Sequence, residues 1–312
     1  MTDPRTDPPR RSQQPPYSGQ RMVDALLDVL NLERIELDIF RGLSVDGSPP
    51  RVFGGQVAAQ SLIAAARTLP REDNRPPHSF HSYFIRPGDP HVPVVFQVDR
   101  IRDGRSFSVR RVLAVQNGKG IFALTASFQS PSRGVEHGAA APDVPPPDQC
   151  PPLVFEPHHP ADDEDGSTPH FLSAFEMRMV SSSRRSRDAA VDEATGQPQL
   201  YDATWLRTAG TLPPDPLVHT AMVVFASDHG IVDGALSRHR LDRSEHMRQA
   251  SLDHVMWFHH PVRADDWLLY RRVSPAASGG RALGIGEIFD AAGAHRITVA
   301  QEAMVRLPQY RG

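Results

Sequence analysis

Asp228, Ser251 and Gln301 are residues whose side-chain types could together activate and hold a water. Asp228 follows Ala226-Ser227 at an apparent helix-to-loop junction. A carboxylate there can take a proton from water as a general base. It can also simply cap the helix. Ser251 has a hydroxyl that can hold a water, or satisfy nearby backbone. Gln301 stands in an otherwise apolar strand, where its amide can orient a water or serve as a hydrogen-bonded structural group. Gly54-Gly55, followed by Gln56, opens an Ala-rich helix. Its N–H groups could face a developing oxyanion, or the pair could form only a tight turn. Residue type alone leaves both readings open at every one of these positions.

Other constellations are weaker. His254, His259 and His260 raise the idea of a metal site, but a strand would put His254 and His260 on one face and His259 on the other. No nearby cysteine and no His-Glu-x-x-His pattern supports a site, so neither metal nor cofactor is expected. Arg86 and Arg105 could meet phosphate, or lie solvated. Tyr83-Phe84 and Trp257-Phe258 read as core aromatics, and His81 as structural. Gly42-Leu43-Ser44-Val45-Asp46 misses a nucleophile elbow at its last position. Gly284-Ile285-Gly286 does not extend to a dinucleotide fingerprint, and there is no Walker A loop.

The 312 residues include one cysteine, Cys150, which excludes an intrachain disulfide and a multi-cysteine metal site. Hydrophobic residues make up 39%, enough for a sizeable core. The formal net charge of −3 gives no global basic field for nucleic acid or an anionic membrane. No signal-peptide core or membrane-spanning run is apparent, so a cytoplasmic protein without membrane insertion is expected.

Two weak stretches divide the chain. Residues 1–20 are rich in Pro, Arg, Ser and Gln and read as a disordered tail. Residues 131–168, with Pro145-Pro146-Pro147 and the acidic Asp162 to Asp165, read as a linker. Blocks 21–130 and 169–308 remain. In the first, Val23 to Leu30 has helical spacing, Leu32 to Phe40 alternates as one strand, and a helix covers Gln56 to Leu69. Strands follow to Gln129, with a hairpin turn at Asn117-Gly118. In the second, the helix Pro216 to Phe225 precedes strands at Ser251 to His259, Trp267 to Val273, Arg281 to Phe289 and His295 to Val305. At one fixed offset Tyr83-Phe84 falls on Trp257-Phe258, Pro87 on Pro261, Ser127 on Gln301 and Gly54 on Asp228. A shift of one brings Gly118 onto Gly293. The matching order of elements indicates an internal duplication of an α+β unit, a helix wrapped by antiparallel sheet.

Several long segments resemble the type II acyl-CoA thioesterase family. They are Arg51 to Val57 (RVFGGQV), His78 to Gly88 (HSFHSYFIRPG), Arg102 to Arg111 (RDGRSFSVRR), Asp253 to His259 (DHVMWFH) and Gln301-Glu302. The resemblance runs from about residue 22 to 306. It implies a double hotdog, hydrolysis of medium- to long-chain acyl-CoA, and a catalytic trio that falls on Asp228, Ser251 and Gln301. The family commonly has threonine where this chain has Ser251, which keeps the hydroxyl but loses the methyl that restricts its rotamer. A homo-oligomer, dimer or tetramer, is expected by analogy. An enoyl-CoA hydratase of hotdog type would resemble a family with a histidine five positions after the aspartate, where this chain has Asp233. A non-catalytic acyl-CoA sensor is the reading from another class.

Overall fold

A computed structural model describes residues 19–44, 51–70, 74–153, 170–180, 201–239 and 248–306. Most of the N-terminal tail and the acidic run Asp162 to Asp165 lie outside these residues. The first half of the chain contains α1 (Gln20–Leu30), β1 (Glu33–Glu36), β2 (Ile39–Gly42), α2 (Gly54–Ala66), β3 (Pro77–Phe84), β4 (Val94–Asp103), β5 (Phe107–Gln116) and β6 (Lys119–Gln129). The second contains β7 (Phe175–Met179), β8 (Tyr201–Thr208), α3 (Pro216–Ser227), α4 (Asp233–Arg238), β9 (Arg248–Ser251), β10 (Asp253–Phe258), β11 (Leu268–Ser278), β12 (Arg281–Asp290) and β13 (His295–Arg306).

The strands alternate inward and outward side chains, as their period of two requires. In β5, Ser108, Arg110, Val112, Ala114 and Gln116 are buried, while Phe107, Arg111 and Leu113 are exposed. Among the described residues the strands form one 13-stranded antiparallel sheet in the order β1-β2-β4-β5-β6-β3-β10-β13-β12-β11-β8-β7, with β9 beside β13. β3 and β10 are the seam between the halves. Outward from that seam, β3-β6-β5-β4-β2-β1 mirrors β10-β13-β12-β11-β8-β7. Each half wraps a long helix, the α+β double hotdog arrangement.

The two long helices also meet each other. α2 is buried from Gly55 to Ala65, and α3 at His219 and from Ala221 to Ser227. Helices apolar on all sides suit such a place, with sheet on one side and helix on the other. Small residues set the approach: a Cβ on Gly55 would lie 2.1 Å from the Phe225 carbonyl oxygen. Asp215 starts α3 by accepting from the Leu217 N–H at 2.9 Å, with Pro216 at the first helical position. Such a cap contributes about 1 kcal/mol.

The structure corrects several expectations. Leu32 to Phe40 is two strands, because Asp38 turns the chain with a φ of 59°. Aspartate tolerates that left-handed conformation better than most residues. Ser251 to His259 is broken at Leu252 into β9 and β10. The short α4 was not anticipated. Tyr83 is 64% exposed on the outer face of the sheet rather than core. The described part of the presumed linker is ordered against the second half. Pro145 O accepts from Trp205 Nε1 at 2.9 Å, and Leu153 N–H donates to Met177 O at 2.8 Å. Cys150 is buried there with Trp205, Leu269 and Phe289. Burial pushes its thiol up, away from thiolate reactivity.

Candidate active site

A β-bulge assembles the site. Ser251 pairs with Ala303, and Val255 pairs with Ala300. Three residues, Leu252 to His254, therefore oppose two, Gln301 and Glu302. Such an insertion re-aims side chains. By strict alternation Ser251 and His254 would face opposite ways; with the extra residue both meet Gln301. Asp253 steadies the bulge, because its Oδ1 accepts from the Glu302 N–H at 2.6 Å.

The result is a continuous polar chain in the interior. Gln301 Nε2 donates to Ser251 Oγ at 2.6 Å. Gln301 Oε1 lies 2.5 Å from His254 Nδ1, and His254 Nε2 lies 3.0 Å from Ser227 Oγ. An amide oxygen only accepts, so His254 Nδ1 carries the proton. Burial holds the His254 pKa below its ordinary value, and neighbouring Asp228 and Gln301 offset this only in part. A neutral ring with its proton on Nδ1 leaves Nε2 an acceptor facing Ser227 Oγ, whose one proton is shared between this nitrogen and Val224 O, each at 3.0 Å. Tyr270, its hydroxyl proton held firmly by burial, donates to Ser227 O at 2.9 Å.

Asp228 stands beside this chain as the C-cap of α3. Its Oδ2 accepts from the Gly55 N–H at 3.0 Å. A Cβ on Gly54 would lie 2.7 Å from the same oxygen, so glycine is what lets the carboxylate reach the start of α2. This N–H, at the positive end of α2, favours the ionised form, while the negative end of α3, which Asp228 caps, opposes it. Burial also opposes it and is the largest effect, so the Asp228 pKa is raised; His254, Gln301 and Gly55 pull it only partly back. Asp228 Oδ1 is buried and has no hydrogen-bond partner among the described residues. The residue as a whole keeps some exposure. The base candidate thus has one oxygen tied to the first half and one uncommitted.

Asp228, Ser251 and Gln301 are therefore brought together, and Gly54 and Gly55 join them from the other half. The role expected of Gly55 changes: its N–H is occupied by the carboxylate and not open to an oxyanion. Gln56 turns away, donating through Nε2 to Leu43 O and Ser44 Oγ, both at 3.3 Å. Arg86 donates to Gly120 O at 2.7 Å, and Arg105 offers its carbonyl to Arg75 at 3.2 Å. His254 was missed as a site residue, because its partners become neighbours only through the bulge.

The same register identifies the counterpart positions in the first half. β3 and β6 carry a matching irregularity between Pro77 and Ser79. Superposing the two seam strands through Tyr83 and Trp257 puts Pro77 at the place of Ser251, Phe80 at that of His254 and Ala126 at that of Gln301. Arg67, the C-cap of α2, corresponds to Asp228. Two pairs matched by sequence offset, Ser127 with Gln301 and Gly54 with Asp228, are therefore not structural counterparts. The first half contributes glycines to the candidate site, and its own counterpart positions carry none of the three polar side chains.

Comparison with known proteins agrees with this architecture. Residues 45–129 match a family model described as the acyl-CoA thioesterase N-terminal domain, and residues 180–304 one described as acyl-CoA thioesterase. The chain is 36% identical over 291 residues to human acyl-coenzyme A thioesterase 8, covering 89% of this chain and 88% of that protein. It is 33% identical over 297 residues to acyl-CoA thioesterase 2 of Haemophilus influenzae, covering 92% and 99%. A solved acyl-CoA thioesterase II from Mycobacterium marinum superposes with a TM-score of 0.74 at 37% identity, covering 92% of this chain and all of that one. With both halves matched and relatives of this identity aligned end to end, the chain belongs to the type II acyl-CoA thioesterase family.

Proposed function

We propose that this protein hydrolyses medium- to long-chain fatty acyl-CoA to free fatty acid and CoA, using a water activated by Asp228 and oriented by Ser251 and Gln301. The observation that carries the reading is the buried Oδ1 of Asp228, without a hydrogen-bond partner among the described residues, near the Gln301 amide that is itself aligned on the Ser251 hydroxyl. Oδ1 takes the water's proton as the hydroxide attacks the thioester carbonyl carbon. Ser251 accepts from Gln301, so its own proton is available to donate. The second Gln301 N–H, on the end of the amide that favours ionised Asp228, lies where it would hold a water between the two. The carbonyl electrons move to oxygen and return as the C–S bond breaks, and the CoA thiolate leaves to be protonated. The first backbone N–H of α2, on Gly54, has no acceptor within the helix and is the remaining donor for the oxyanion.

The test is release of free CoA thiol from a chain-length series of acyl-CoAs. Turnover with a maximum at medium or long chains is the expected result; binding without turnover would replace the enzyme by a sensor. In the same assay Ser251→Ala should lower kcat by about 10-fold or more through loss of water orientation. Ser251→Thr should retain activity, since it keeps the hydroxyl. A Ser251→Ala enzyme with wild-type kcat would remove Ser251 from the mechanism.

We further propose a cytoplasmic homo-oligomer of units whose halves span about 21–130 and 169–308. Among the described residues no helix is long and apolar enough to cross a membrane. Tyr83, Ile85 and Leu113 leave apolar surface exposed, which self-association would cover. Light scattering that gave the mass of a single chain would refute the oligomer.

A further inference from the structure

We propose that His254 is a positioning residue for hydrolysis: it fixes the orientation of the Gln301 amide and ties that amide to the end of α3 that carries Asp228. This inference rests on the reading of Asp228, Ser251 and Gln301 as the catalytic trio.

An amide side chain can point either way round. Only one way is useful here. With Nε2 toward Ser251 and Asp228, Gln301 offers two N–H groups to the site. Reversed, it would present a carbonyl oxygen to a carboxylate and repel it. The Gln301 amide is among the groups that favour ionised Asp228, an effect only its N–H end can have. Something must therefore occupy Oε1 at the other end. His254 Nδ1, 2.5 Å away, does so.

The ring is itself held from both sides. Its Nε2 meets Ser227 Oγ, on the residue immediately before Asp228. Its backbone carbonyl accepts from Ser82 Oγ at 2.6 Å, across the seam from the first half. Phe80 packs against it with ring centroids 5.8 Å apart. The residue is fully buried. One imidazole thereby couples β13, α3 and the seam. At the counterpart position of the first half, where no chemistry is built, the chain has phenylalanine, so the fold itself does not demand histidine there.

The experiment compares wild type with His254→Phe, His254→Asn and Asp228→Asn, using lauroyl-CoA and measuring kcat, KM and thermal unfolding. Asparagine can present an N–H near the position of Nδ1; phenylalanine fills the space without a donor. The expected result is a fall of about 10²-fold in kcat for His254→Phe, as for displaced reactive groups generally. KM should stay near wild type, and His254→Asn should recover most of the loss. A His254→Phe enzyme with near-wild-type kcat, or a His254→Asn enzyme as impaired as His254→Phe, overturns the proposal. Should His254→Phe not fold, nitrogen NMR of the wild-type ring decides: a neutral ring protonated on Nδ1 supports the proposal, and one protonated on Nε2 overturns it. Asp228→Asn separates the two levels, since wild-type kcat in that variant defeats the trio reading itself.

Discussion

Asp228→Asn is expected to lower kcat for acyl-CoA hydrolysis by about 10²–10⁴-fold, the usual contribution of a general base. The substitution keeps the shape of the side chain and an oxygen for the Gly55 N–H, so KM should change little. The pH profile of the wild type should carry the same signature. Asp228 must be ionised to accept a proton, and burial raises its pKa. Turnover should therefore fall as pH drops through an apparent pKa above the ordinary carboxylate range. Stability should move in the opposite sense. A raised folded-state pKa means that the fold favours protonated Asp228. That preference stabilises the protein below the ordinary carboxylate range and is lost as pH rises through the folded value. At neutral pH the ionised group is a burden, and Asp228→Asn should unfold at a higher temperature than wild type. At low pH the difference should vanish. A variant with unchanged kcat, or one less stable than wild type at neutral pH, would contradict this account of the carboxylate.

Gly55→Ala is the second large effect. The added carbon would sit 2.1 Å from the Phe225 carbonyl oxygen and 2.6 Å from the Phe53 ring. The nearer obstacle is backbone of α3, which cannot rotate aside. The helices must separate, which costs on the order of 1–3 kcal/mol, as overpacking does elsewhere. The same displacement pulls the Gly55 N–H from Asp228, so a loss of about 10²-fold in kcat is expected at temperatures where the variant remains folded. Gly134→Ala is the control: its added carbon would meet nothing within 4 Å. It should change stability by less than about 0.5 kcal/mol. Equal behaviour of the two variants in thermal unfolding and in the thiol assay would show that close helix packing does not matter here.

Much of the fold is legible in the sequence because local signals agree with the final packing. The Ala-rich run after Gly54 is buried on all sides as a helix, and Asn117-Gly118 turns with a φ of 49° at the asparagine. The errors have local causes as well. One left-handed aspartate, Asp38, divides an apparently continuous strand. The extra residue at Leu252 to His254 breaks the period of two. That second feature also explains why the site was only half visible. Alternation separates Ser251 from His254, and nothing in the string announces that the bulge reunites them. Gln301 and Ser251 were singled out through family resemblance rather than by their own setting, since a lone amide in an apolar strand is more often merely satisfied. The contact of Gly55 with Asp228 depends on how the halves pack, which periodicity does not encode.

The counterpart positions Arg67, Pro77, Phe80 and Ala126 have a consequence for how such an enzyme can change. In a symmetric dimer of separate, identical chains, every substitution appears twice, related by the twofold axis. A residue that improves one role is forced into its mirror image, where it can do harm. Joining both halves in one polypeptide removes that constraint. The first half can have phenylalanine and alanine where the second has histidine and glutamine, and supply the glycines against which the carboxylate rests. The price is redundancy: on the proposed assignment the machinery has no second copy, so a single substitution at the bulge is expected to silence the whole chain.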